Sequence, residues 1–118
     1  MSRTLIFGGT FNPVHVGHLR AAVEVAETLG FDRVEWIPSY APLHKPGDAL
    51  LRFDLRVELM RAALRGHAQF GVNDIERTLP VPSVTVHTLE AMARKEPNVD
   101  RYFLLGDREF LRLHKWHR

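Results

Sequence analysis

Residues 4–7, Thr-Leu-Ile-Phe, are a short apolar run that ends at two adjacent glycines, Gly8 and Gly9. A buried strand stopped by a turn reads this way. From about Gly17 to Leu29 the apolar residues Leu19, Ala22, Val23, Ala26 and Leu29 recur at helical spacing, and Gly30 follows as a stop. The same alternation continues down the chain. Arg33–Ile37 reads as a strand ended by Pro38, and the proline- and glycine-rich stretch Pro38–Ala49 as a loop. A helix fits Arg52 to about Leu64, with Phe53, Val57, Met60 and Leu64 on one face and Gly66 beyond it. Phe70–Val72 is a short strand, and Thr78–Ser83, with Pro80 and Pro82, is a loop. A third helix starts near Ser83 to Thr85 and runs to about Lys95; Tyr102–Leu105 is a strand stopped by Gly106. Strands alternating with helices predict an α/β fold: a Rossmann-like parallel sheet covered by helices, with right-handed crossovers. The chain stops at LHKWHR, soon after a strand and without a closing element. It is read as one domain over 1–118, incomplete or minimal.

Composition narrows the functional classes. With 118 residues, the chain holds one domain and buries a core without staples. It has no cysteine, which excludes a disulfide framework and a thiolate metal site. No apolar run reaches membrane-spanning length, and MSRTLIFGG lacks the long apolar region of a signal peptide. A cytoplasmic protein with no membrane partner is expected. The net charge of +2 is spread along the chain without a basic stripe, so nucleic acid is not an expected partner.

The chemistry gathers in FGGTFNPVHVGHLR, Phe7 to Arg20. In open parallel sheets ligands sit beyond the carboxyl ends of the strands. Gly8, Gly9 and Thr10 lie at such an end, where glycine lets the backbone approach a ligand closely. The following helix directs its N–H groups and positive dipole end to the same spot, which favours phosphate. Neither the Walker loop nor the G-x-G-x-x-G pattern is present. His15 and His18 flank Gly17 on the first helical turn, on one side of it, with room between them for something to lie against the helix start. Two imidazoles there can donate to phosphoryl oxygens and stabilise charge that grows during phosphoryl attack. Two solvated histidines, or a zinc pair lacking a nearby third ligand, are the alternatives these residues leave open.

Several segments in order carry a resemblance. GGTFNPVHVGH resembles the signature of the HxGH nucleotidyltransferases, most closely bacterial nicotinate mononucleotide adenylyltransferases. WIPSYAPLHKP, FDLRVELMRAAL, VPSVTVHTL and YFLLGDREFLRLHKWHR are similar to later segments of that family. The resemblance implies transfer of the adenylyl group of ATP to nicotinate mononucleotide, with Mg²⁺, releasing pyrophosphate. It implies that His15 and His18 contact the ATP phosphates, and that Gly8, Gly9, Thr10 and Phe11 shape the nucleotide cleft. His44 and Lys45 would reach towards phosphates from their loop, and Asp107 would hold a ribose. Thr85 would help hold the nicotinate carboxylate through its backbone, and Trp116 would stack on the pyridine ring. Without the resemblance, His44 and Lys45 read as exposed loop residues and Trp116 as core.

The chain departs from the family pattern in places. Val84 stands where the family has tyrosine, and Asn12 where aspartate is common. The family's Gly-x-Asp becomes Gly106-Asp107-Arg108, so the aspartate is displaced by one position. The family's later Ile-Ser-Ser/Ala-Thr-x-Ile-Arg segment is absent. A fragment and a natural short form are both open, as is association with a second copy across an exposed sheet edge. A binding module without catalysis is the alternative function; pantetheine-phosphate adenylyltransferases and cytidylyltransferases share the His-x-Gly-His logic.

Overall fold

The structure, a computed structural model, describes residues 3–40, 49–79 and 85–104, with only the backbone of residues 85 and 86. Four parallel strands, β1 (Arg3–Gly9), β2 (Arg33–Pro38), β3 (Phe70–Val72) and β4 (Asp100–Leu104), form one sheet in the order β3-β2-β1-β4. The helices are α1 (Val16–Leu29), α2 (Phe53–Ala63) and α3 (Thr85–Lys95). The expected α/β architecture is therefore observed.

Alternation along the two central strands sorts side chains to opposite faces. Leu5 and Phe7 of β1, with Val34 and Trp36 of β2, pack with Ala22 and Ala26 of α1 and Met60 of α2. Ile6 and Ile37 point the other way, onto Ala91 and Met92 of α3 and Ile75. The sheet is thus buried on both faces, which is why β1 and β2 read as continuous apolar runs.

Gly30 ends α1 in the left-handed region, at φ 71° and ψ 46°, where glycine carries no Cβ penalty. The chain then folds back, and the Arg3 amide donates to Asp32 Oδ2 at 2.7 Å while the Asp32 amide donates to the Arg3 carbonyl at 2.9 Å.

Two details differ from the sequence reading. β1 does not stop before its glycines: Gly8 pairs with Ile37 and Gly9 with Pro38 in register. A 3₁₀ turn over Ile75–Thr78, unanticipated, follows β3. It has too few residues to display a period, so no pattern announces it.

Candidate active site

The order β3-β2-β1-β4 fixes where a ligand belongs. The chain steps outward from β1 to β2 to β3, then returns to the far side of β1 for β4. Connections on the two sides of β1 diverge, and in such an order a ligand crevice is expected beyond the carboxyl ends of the strands beside that switch. Gly8 and Gly9 form that end of β1. A Cβ on Gly8 would lie 3.2 Å from the Phe103 ring of β4, and one on Gly9 3.2 Å from the Phe11 ring. The glycines therefore keep β1, β4 and the turn closely fitted.

Phe11 sits at φ 50°, an uncommon conformation for a bulky residue. The turn directs its ring inward, where it is 4% exposed and packs edge-on against Phe7 at 5.3 Å and against His18 at 5.0 Å. Its ring therefore belongs to the core and supports His18.

His15 is the N-cap of α1, with extended backbone dihedrals (φ −142°, ψ 174°). Its Nδ1 accepts from the Gly17 amide at 3.1 Å, and His18 Nδ1 accepts from the His15 amide at 3.0 Å. This is a reciprocal capping box built from two imidazoles. The rings stack with centroids 3.7 Å apart and planes 22° apart. A Cβ on residue 17 would lie 2.9 Å from His15 Cε1. The space that Gly17 leaves is therefore filled by the His15 ring itself, which corrects the expectation of room for a ligand there.

The caps decide the tautomers. A ring whose Nδ1 accepts carries its proton, when neutral, on Nε2. Both imidazoles thus offer Nε2–H donors away from the backbone. His18 is half-buried, and burial first, then the charge of His15, lowers its pKa from the ordinary 6.5. Neutral donors are the resting state of His18 at neutral pH. The amides of His18 and Leu19 both donate to the His15 carbonyl, at 3.0 and 3.3 Å. Together with the capped Gly17 amide, much of the first turn is already engaged, so the helix start is not a bare cradle of N–H groups as expected. Its polarity passes instead through the capped rings, and no acidic residue stands in the first turn to oppose an anion.

Beneath the turn lies a residue that the sequence reading missed. Arg56, 1% exposed, donates from Nη1 to the carbonyls of Thr10 at 2.9 Å and Ser39 at 2.8 Å, and from Nε to that of Leu51 at 2.8 Å. Burial lowers its pKa and the charge of Glu76 opposes that shift. Asn12 adds a second tie: its amide donates to the Ala49 carbonyl at 2.5 Å and its Oδ1 accepts from the Leu51 amide at 2.8 Å. An aspartate at 12 could not make the first of these. A cleft of about 350 Å³ lies beside this brace, lined by Tyr40, Arg52, Phe53, Asp54 and Arg77, and does not include the histidines. Arg77 is held there by Asp54 at 2.7 Å and Asp74 at 3.6 Å, so it is committed to those carboxylates.

The structure brings Gly8, Gly9, Thr10, Phe11, His15 and His18 together at the end of β1. Thr85 opens α3. His44, Lys45, Val84, Asp107, Arg108 and Trp116 lie outside the described residues.

A parallel sheet covered on both faces, with its switch point beside a glycine turn, is the architecture of a Rossmann-like α/β nucleotide protein. A model of the family described as cytidylyltransferase-like matches residues 6–118, and the chain belongs to that family. Among curated relatives, two named "Probable nicotinate-nucleotide adenylyltransferase" are similar. The one from Geobacter metallireducens is 38% identical over 115 residues, covering 98% of this chain and 53% of the relative. The one from Desulfatibacillum aliphaticivorans is 42% identical over 111 residues, covering 94% and 50%. The chain spans about half the length of the curated relatives it matches. A solved structure from Vibrio parahaemolyticus, named as a nicotinate-nucleotide adenylyltransferase, superposes with a TM-score of 0.81 at 25% identity, over 100% of this chain and 69% of that one. The Plasmodium falciparum nicotinic acid mononucleotide adenylyltransferase complexed with NaAD has a TM-score of 0.82 at 15% identity, over 100% of this chain and 58% of that one, a likeness of fold. The resemblance read from the sequence agrees with these relatives.

Proposed function

We propose that this chain carries the catalytic turn of a nicotinate-nucleotide adenylyltransferase. In the reaction, an oxygen of the mononucleotide phosphate attacks the α-phosphorus of ATP. A new P–O bond forms as the bond to the β-phosphate bridge breaks, and pyrophosphate leaves with the electron pair. No protein nucleophile is needed, so catalysis is positioning and charge stabilisation. The observation that supports the reading is the reciprocal cap: both Nδ1 atoms of His15 and His18 accept from the backbone, which leaves Nε2–H as the donor of each ring. Donors fixed before the reaction stabilise charge as it develops on phosphoryl oxygens without reorganising.

In this reading Gly8, Gly9 and Thr10 let the nucleotide approach the end of β1, and His44 and Lys45 engage phosphates. Asp107 holds a ribose, while Thr85 and Trp116 bind the pyridine end of the mononucleotide. Mg²⁺ enters as part of the Mg-ATP substrate and shields phosphate charge. Names of relatives that are twice as long support the substrate pair.

The test is incubation of the chain with Mg-ATP and nicotinate mononucleotide, followed by mass spectrometry for the dinucleotide. Product is expected above a His18→Ala control. Nucleotide binding without product would make the chain a binding module, and product from His18→Ala at the wild-type rate would remove that residue from catalysis.

A further inference from the structure

The helical period of α2 places Phe53, Arg56, Val57 and Met60 on its buried face. An arginine in that stripe is costly: a buried guanidinium loses its hydration, and an apolar residue of similar volume commonly serves stability as well or better. Among the described residues no carboxylate comes within ion-pair distance of Arg56. Its partners are main-chain carbonyls from separate segments, Thr10 after β1, Ser39 after β2 and Leu51 before α2, with Tyr40 at a longer 3.5 Å. Carbonyls at diverging strand ends have no ladder partner, and a planar fork of donors can join several at once.

We propose that Arg56 is a positioning residue: its buried fork locks the histidine-bearing turn after β1 to the exit of β2 and the entry of α2, and so sets where the two imidazoles stand. Arg56 acts through the Thr10 carbonyl and touches neither reacting group. Glu76, 8% exposed, extends the same brace: it accepts from the Tyr40 amide at 3.1 Å and from Thr88 Oγ1 at 2.7 Å, which ties the β2 exit to α3. Asn12 closes it from the turn itself through Ala49 and Leu51. The consequence for nucleotide affinity rests on the function proposed above; the lock on the turn does not.

Arg56→Lys separates this role from simple stability, because lysine keeps the charge but not the fork. The control is Phe31→Leu, a buried change at the opposite, amino end of the sheet. Amide hydrogen exchange by NMR reads the lock directly. In Arg56→Lys the amides of Ser39, Tyr40 and Leu51 should exchange about tenfold faster than the change at Asp32 and Val34 accounts for, since local opening exceeds global opening. In Phe31→Leu those three amides should show no excess. Mg-ATP affinity by calorimetry should fall about tenfold in Arg56→Lys and stay at the wild-type value in Phe31→Leu. A uniform rise in exchange, or equal affinity losses in the two variants, would overturn the proposal. A wild-type chain that does not bind Mg-ATP would refute the functional reading, while exchange would still decide the lock. Should Arg56→Lys lose its cooperative urea transition, Arg56→Gln at reduced temperature gives the same comparison.

Discussion

His15 and His18 each do two jobs with one ring: Nδ1 caps α1, and Nε2 carries the remaining donor. The jobs can be separated. His15→Ser supplies a hydroxyl that caps well, so the thermal midpoint should stay within the range of ordinary cap exchange, about 1 kcal/mol. The Nε2 donor is lost, and kcat should fall on the order of 10²-fold. A serine variant that keeps wild-type turnover would confine His15 to the cap. The lowered pKa of His18 sets a pH dependence. Because the folded state favours the neutral ring, its contribution to stability is complete above the ordinary value of 6.5. It is lost as pH falls below 6.5 through the lower folded value. Urea titrations from pH 7.5 to 5 should therefore show the wild type losing more stability than His18→Gln; parallel curves would exclude the effect. The histidines were legible in the sequence because their spacing around a glycine is unusual. Arg56 was not, because charged side chains are ordinarily exposed and nothing in a sequence shows carbonyls gathering around one.

At the level of elements, α1 is defined by how it begins. Gly17 is unfavourable inside a helix, and alanine there would ordinarily add about 1 kcal/mol. Here a Cβ would press on the His15 ring at 2.9 Å and displace it from its cap. Gly17→Ala should fail to stabilise the protein and should weaken Mg-ATP binding; a higher thermal midpoint with unchanged affinity would show that the ring adapts freely. The helices followed from periodicity, since each buries one stripe, and the central strands from continuous apolar runs bounded by turn residues. The cap did not, because histidine is not among the residues expected at an N-cap, so the helix start read as a set of open N–H groups. β1 also ran further than its glycines suggested, since register with Ile37 and Pro38 outweighs weak strand propensity.

For the whole molecule, the sheet and its site are one object. The candidate site lies beyond the carboxyl ends of the strands, so a ligand there would bind only the folded chain. Mg-ATP at a hundred times its dissociation constant should stabilise the protein by about 2.7 kcal/mol, read as a rise in thermal midpoint. His18→Ala should lose most of that rise, and a rise of equal size in the variant would detach nucleotide binding from the turn. The sheet's parallel class was readable from alternation alone, whereas its order was not, because local pattern carries no record of which strands become neighbours.

That order has a temporal side. The strand bearing the glycine turn is synthesised well before its neighbour β4, yet Arg3 pairs with Asp100, far along the chain. Pairings so remote in sequence form slowly, because a long loop must close before any contact rewards it. A nascent chain emerging from the ribosome can join β1 to β2 early but must wait for β4. Until then one side of β1 is an open edge of unpaired main-chain groups, the kind that recruits foreign strands. The part of the molecule best suited to chemistry when finished is thus the part most exposed to misassembly while being made.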